Sequence, residues 1–287
     1  MKFSYDIGWL PNRIEHSEIF RTFKNAGIDT IAYNFSCLNN CDEVLWITEY
    51  MDNARKIREE LDAAGVTCNQ TYSPFSLKTG DERLIRYEPN YGNIVKALEF
   101  SAVLGAKQMV CYAIQTGNDE EFLNINKKLY RSLITHCEKN NIKVAICSGF
   151  PKYINSSVMK TPWKTEEEFI EFVESFNSPY ITACANLGAI EGIGCPAEDF
   201  VKKIGTPLLS SIHFQDTEKY HDVHLPPYFK QFNWEQIVKN LNSIGYEGEF
   251  TFECPNFMRK YPKDLLPAIA ELFADIGNYV IGLGDKA

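Results

Sequence analysis

Short apolar runs and amphipathic stretches alternate along the whole chain. Runs over 3–8, 28–35, 66–72, 108–113, 143–147, 180–186, 208–213 and 250–254 read as eight strands. Between them, apolar positions recur at helical spacing. In 43–64, Ile47, Met51, Ala54, Ile57 and Leu61 follow one another at steps of three and four. Further helices are predicted over 17–26, 93–104, 119–140, 166–176, 233–244 and 263–279, with another beginning at 196–203. Glycines stand where several helices should stop (Gly27, Gly65, Gly105, Gly245). Thr165 followed by Glu168 has the form of a capping box at the start of 166–176. Eight strand–helix pairs repeating every 25 to 40 residues or so predict an α/β fold, a single (β/α)8 barrel over 1–287, for which ~250 residues is typical. A doubly wound sheet is the alternative, but it calls for a glycine-rich turn after the first strand. The chain runs Gly8-Trp9-Leu10-Pro11 there instead.

Composition narrows the function classes. At 287 residues, with 45% hydrophobic and 23% charged residues, the chain can bury an ordinary core. A formal net charge of −9 speaks against a nucleic-acid surface. The paired lysines, Lys127-Lys128 and Lys202-Lys203, read as solvated helix faces. The nine cysteines are scattered, and Cys68, Cys111, Cys147, Cys184 and Cys254 fall inside apolar runs, where a thiol packs as a small hydrophobe. Cys37 and Cys41 are spaced unlike a zinc motif. The expectation is a cytoplasmic protein with reduced thiols. Asp6 and Asn12 interrupt any signal-peptide core, and no stretch reads as long enough to span a membrane. The expected partner is a small molecule rather than nucleic acid or membrane; homo-oligomerisation stays open.

In such barrels the chemistry sits at the carboxyl ends of the strands. The residues there are Tyr72, Tyr112, Cys147 with Ser148, Asn186, His213 with Asp216, and Glu253. His213 and Glu253 end the seventh and eighth strands, which are neighbours, so the two side chains are expected within metal-ligand range. The alternative is that His213 bonds Asp216 and Glu253 pairs with a lysine. His221 and His224 fall in a proline-containing segment read as an exposed loop. His16 and His136 lie on helices and receive no role. Trp9, Tyr33, Phe35, Tyr72, Phe75, Tyr112, Phe150 and Trp163 gather at or just after strand ends. They serve either as a stacking surface for a sugar or as a cover over the core. Arg259 and Lys260 are the only candidates for a phosphate contact.

The stretch from His213-Phe214-Gln215-Asp216 through His221-Asp222-Val223-His224-Leu225-Pro226-Pro227, Asn233-Trp234, Ile244-Gly245-Tyr246-Glu247-Gly248 and Phe252-Glu253 resembles the xylose isomerase-like sugar phosphate isomerase/epimerase superfamily. Gly27-Ile28-Asp29 and Gly105-Ala106-Lys107 are similar to its helix-to-strand joins. The resemblance implies one divalent metal, held by a glutamate on strand five, an aspartate on strand six, a histidine on strand seven and a glutamate on strand eight. His213 and Glu253 match the last two. Cys147 and Asn186 stand at the first two positions, and Ala189 replaces a further histidine. Histidines common after strands three and four are replaced by Tyr72 and Tyr112.

Two readings follow. In the first, the chain is an isomerase or epimerase of a small carbohydrate or polyol, or a related dehydratase. Glu253 is its base, His213 or Asp216 its second proton-handling group, and Tyr72, Tyr112, Trp9, His224 and Asn186 contact the substrate. Its metal site is degenerate: hard Mn²⁺ is poorly matched to Cys147, Asn186, His213 and Glu253, whereas Zn²⁺ tolerates such ligands. In the second, the barrel has lost catalysis and binds a carbohydrate-like ligand or a partner.

Overall fold

The computed structural model describes the chain except residues 39–43, 46–47, 75–86, 115–118, 150–151, 155–156, 160–162, 164, 193, 219–220, 230–231 and 286–287. Eight parallel strands close into a barrel: β1 (Lys2–Asp6), β2 (Thr30–Asn34), β3 (Thr67–Tyr72), β4 (Gln108–Cys111), β5 (Lys143–Cys147), β8 (Ile181–Asn186), β9 (Leu209–Phe214) and β12 (Glu249–Phe252), in the order β1-β12-β9-β8-β5-β4-β3-β2. Two hairpins interrupt the sequence reading: β6 (Lys152–Ile154) with β7 (Ser157–Met159), and β10 (Asp216–Glu218) with β11 (His221–Leu225). The helices that matter below are α1 (His16–Asn25), α4 (Asp119–Asn140), α5 (Glu166–Glu174), α6 (Leu187–Gly192), α8 (Trp234–Ser243), α9 (Pro255–Arg259) and α10 (Leu266–Gly282).

Local chemistry sets the ends. Thr165 Oγ1 accepts from the Glu168 amide at 3.2 Å and opens α5, as its capping-box spacing predicts. Asn233 Oδ1 accepts from the Gln236 amide at 3.1 Å and does the same for α8.

Side chains alternate across a strand. Phe214, Phe250 and Phe252 therefore face the helices, where Phe214 stacks on Phe250 with centroids 4.3 Å apart and Phe252 meets Phe273 of α10 at 4.8 Å. His213, Thr251 and Glu253 face the barrel interior. Lower in that interior, Ser4 Oγ donates to Asn69 Oδ1 at 2.8 Å and Asn69 Nδ2 to Thr251 Oγ1 at 3.4 Å. A separate buried cluster inside the barrel joins Ala32, Tyr72, Val110, Ala145, Cys147 and Cys184.

Two strands carry an extra residue. Ile31 faces Cys68 but Ala32 faces Gln70, and Ala183 faces Leu209 but Cys184 faces Ser211. Such bulges re-aim side chains. Here Gln70 reaches His213, and Ser211 reaches Gln70.

The sequence reading denied any membrane-length segment, and this is corrected. The 20-residue stretch Lys263–Gly282, at mean hydropathy 1.3, is long and apolar enough by those two measures. In the fold it is an outer-layer helix, its Leu266, Ala270, Phe273, Ala274 and Val280 buried. The eight described cysteines are free.

Candidate active site

Glu253 follows β12, its amide donating to the Phe214 carbonyl at 3.3 Å, so the ladder carries its side chain inward. The carboxylate is 2% exposed and sits among polar groups from four other strands. Tyr112 Oη donates to Oε1 at 3.3 Å. Asn186 Nδ2 and Gln215 Nε2 donate to Oε2 at 2.9 and 3.2 Å. His213 Nδ1 lies 3.4 Å from Oε1 and His224 Nδ1 3.5 Å from Oε2. Burial alone raises this carboxyl's pKa. The imidazoles of His213 and His224 and the Tyr112 hydrogen bond outweigh it, and hold the group below its ordinary value. Among the described residues, the ion-pair partners of Glu253 are these two histidines.

A second buried carboxyl went unrecognised in the sequence reading. Asp6 ends β1, which pairs with β12. Its Oδ1 accepts from the Gly8 amide at 2.8 Å and its Oδ2 from Asn34 Nδ2 at 3.0 Å. Burial, then the charge of Glu253, push it up from 3.8 to about 7, against the pull of Asn34, Gly8 and His224. Two carboxyls with environments that drive their pKa values apart are the pattern of an acid and a base in one site. The same strand-end rule that selected Glu253 would have found Asp6. Gly8 serves this corner by taking φ +40°, and a Cβ built on it lies 2.2 Å from Pro255 Cβ at the start of α9. Gly8→Ala is therefore expected to cost about 2–4 kcal/mol, from backbone strain plus overpacking, measured by urea denaturation.

His224 was expected on an exposed loop, and that is corrected. The segment folds back as the β10–β11 hairpin, and His224, half-buried at φ 47°, places Nδ1 2.9 Å from the Glu253 carbonyl. A left-handed conformation at a histidine costs energy of order 1–2 kcal/mol and persists where surrounding contacts impose it. The side chain of His221 lies outside the described residues. Asp216, fully buried, opens the hairpin opposite Leu225. Gln215, which the sequence reading did not single out, bridges Asn186 Oδ1 (2.8 Å) and Glu253.

His213 is fixed from the other side. Ser211 Oγ donates to Gln70 Oε1, and the Gln70 carboxamide meets His213 Nε2 at 2.9 Å. With the amide N–H donating, the ring proton sits on Nδ1. Nδ1 has no aligned hydrogen bond despite its approach to Glu253. The Tyr72 ring packs 4.9 Å from His213, and Tyr72 is fully buried rather than exposed at the mouth. Trp9, by contrast, is half-buried at the mouth. Its Nε1 donates to Asn256 at 3.1 Å, and the Arg259 guanidinium lies 4.2 Å over its ring.

The other aromatics split as the sequence left open. Tyr33 and Phe35 pack with Phe100, and Trp163 packs with Phe122 and Phe172, all in the core. Phe75 and Phe150 lie outside the described residues. His16 stacks on Tyr33 in the outer layer, where burial and then Lys56 push it down to about 4. His136 sits on α4 against Tyr91.

Of the residues matched to a metal, His213, Asn186 and Glu253 converge. Asn186 spends its Nδ2 on Glu253, while its Oδ1 accepts from Gln215 and from the Ala189 amide of α6 at 2.9 Å. The amides thus bond the carboxylate oxygen directly. With a single carboxylate engaged this way, the set does not fit a hard Mg²⁺ or Mn²⁺, which asks for several oxygen ligands. Cys147 lies instead with Cys184 and His213, one ligating atom from each falling within 4.8 Å of the others.

A family model described as xylose isomerase-like TIM barrel matches residues 20–274. Over 95 residues the chain is 30% identical to uncharacterized protein MJ1311 of Methanocaldococcus jannaschii, covering 32% of this chain and 32% of that protein. The match thus spans about a third of that curated relative. Among solved structures, the chain is similar to a xylose isomerase domain protein of Alicyclobacillus acidocaldarius, at TM-score 0.74 and 14% identity over 99% of each chain. It is also similar to a D-psicose 3-epimerase studied in the presence of D-fructose, at TM-score 0.73 and 14% identity over 98% of this chain and 100% of that one. At such identities these likenesses concern the fold alone.

Proposed function

Because the chain belongs to the xylose isomerase-like TIM barrels, we propose that it isomerises or epimerises a small carbohydrate or polyol, with Glu253 as its base. One observation carries this reading. A buried carboxylate held ionised stands at the end of the last barrel strand, ringed by donors from neighbouring strands. Tyr112 and His224 are the half-buried members of that ring, so substrate approaches from their side. Glu253 takes the proton from the carbon beside the sugar carbonyl. Negative charge then develops on the carbonyl oxygen, and the half-buried Tyr112 hydroxyl is the neutral donor assigned to it. Aldose–ketose isomerisation lets this base return the proton to the neighbouring carbon on the same face, while the proton of the adjacent hydroxyl passes to the former carbonyl oxygen. Epimerisation needs a second group on the opposite face of the sugar carbon.

The second reading, a binding barrel without turnover, draws on Asn186 and Gln215 tying up Glu253 Oε2. Incubating the protein with aldoses, ketoses and inositol-type ketones, and separating products by chromatography, decides between the two. Interconversion of at least one pair, slowed by roughly 10²–10⁴-fold in Glu253→Gln, is the expected result. Sugar binding without conversion supports the second reading.

A further inference from the structure

Cys147 and Cys184 are direct partners on the adjacent strands β5 and β8, and both side chains face the barrel interior in contact with the same buried cluster. Neither is more than 1% exposed, and His213 is fully buried beside them. Their two sulfurs and one imidazole nitrogen all lie within 4.8 Å of one another. Ligand atoms around a tetrahedral ion stand about 3.5–4 Å apart, given metal–ligand bonds of about 2.0–2.3 Å, so small rotamer adjustments suffice. We infer that Cys147, Cys184 and His213 form a zinc site inside the barrel, below the Glu253 carboxylate; it shares His213 and the Cys147 position with the set that the fold family implies, but Cys184 is new to it and two sulfurs replace the carboxylates.

Three features select this ion. Two sulfur ligands disfavour Mg²⁺ and Mn²⁺ and suit zinc. Zn²⁺ bound to two thiolates is electrically neutral, so it can occupy a pocket closed to water, whereas a monovalent copper ion there leaves a net negative charge. His213 Nδ1 is a buried polar atom with no aligned hydrogen bond, and it is available without breaking the strand ladder.

A partner for the other ring nitrogen of His213 is also in place. A metal-bound histidine usually donates its other N–H to an oxygen. Gln70 already touches Nε2, and turning its carboxamide over presents Oε1 to that nitrogen and its N–H to Ser211. The proton balance is then complete. Both thiol protons leave to solvent, and the imidazole proton moves from Nδ1 to Nε2, where Gln70 accepts it. Three protein ligands leave a fourth position open, the arrangement of zinc sites that bind water or substrate rather than purely structural ones. The inference does not depend on Glu253 acting as a base.

The test uses full-length protein purified without a chelating tag, then refolded and dialysed with zinc alone, because the pocket is sealed in the folded state. Elemental analysis is expected to give one zinc per chain, and zinc-edge X-ray absorption on the wild type two sulfur neighbours at about 2.3 Å. Cobalt in place of zinc is expected to give a near-ultraviolet sulfur-to-metal band. Cys147→Ser and Cys184→Ser should each lower occupancy at least tenfold, while Glu253→Gln and the remote Cys195→Ser keep it. Circular dichroism checks that each variant folds, and the absorption result stands without any variant. Absence of zinc from the wild type, zinc with only oxygen and nitrogen neighbours, or loss in Glu253→Gln with retention in both cysteine variants would overturn the inference.

Discussion

Glu253→Ala is expected to destabilise the fold by about 3–5 kcal/mol and to remove activity, because it strips one buried acceptor from several donors at once. Tyr112, Asn186 and Gln215 each lose a hydrogen bond, and two imidazoles lose the charge they face. Each orphaned donor costs about 1–3 kcal/mol, with partial relief as water enters the cavity. Glu253→Gln keeps the shape and one acceptor, so it separates folding from chemistry: a smaller loss of stability with the same loss of turnover. The pH dependence has a definite sign. The folded pKa of Glu253 is depressed, so its contribution is present above the unfolded value of 4.5 and lost as pH falls through the folded value. Urea denaturation of wild type and Glu253→Gln at several pH values checks this. The gap should narrow in acid, and a gap that ignores pH contradicts the charge-based account.

Asp6→Asn should behave in the opposite way. The folded protein keeps a proton on Asp6 up to about 7, whereas the unfolded chain releases it near 3.8. Folding is therefore progressively penalised as pH rises between those values, and the penalty is complete above them. Three pKa units correspond to ~4 kcal/mol as an upper bound. The substitution removes that penalty but brings an amide N–H against Asn34 Nδ2. Asn34 must then turn and release Ser36, whose hydroxyl it now accepts at 2.6 Å. That costs about 1 kcal/mol. The variant is expected to be less stable than wild type near pH 4 and more stable, by roughly 2–3 kcal/mol, near pH 8. A crossing of the two stability curves between these pH values is the signature. Parallel curves contradict a buried, proton-holding Asp6. Greater stability bought this way should come with lost function if Asp6 serves the site.

What was legible in the sequence follows from where each signal is local. Helix periodicity and glycine stops are local, so the helix Asp119–Asn140 and the strand Lys143–Cys147 were read to the residue. The strand-end rule brought out His213 and Glu253, which the barrel does bring together. Three things escaped because they are set by the closed sheet. The bulges beside Gln70 and Ser211, the two residues that hold His213 from one side, are register shifts between strands, invisible along either one. The inward turn of His224 depends on a hairpin closing over the barrel mouth, in a segment whose Pro-Pro pair reads as loop. The meeting of Cys147 with Cys184 depends on β5 and β8 being neighbours despite the intervening hairpin. Asp6 was legible and overlooked: it ends an apolar run just as Glu253 does, but it was weighed only as a charge near the N-terminus.

The measurement that tests the central claim most directly is solvent hydrogen exchange on sugar carbon. Wild type and Glu253→Gln are each incubated with aldoses and ketoses in D₂O, and nuclear magnetic resonance follows the hydrogen beside the carbonyl. A base at Glu253 predicts deuterium entering that carbon of at least one sugar with the wild type, and roughly 10²–10⁴-fold more slowly with Glu253→Gln. No exchange with any sugar that binds, or equal exchange in both proteins, would contradict Glu253 as the base.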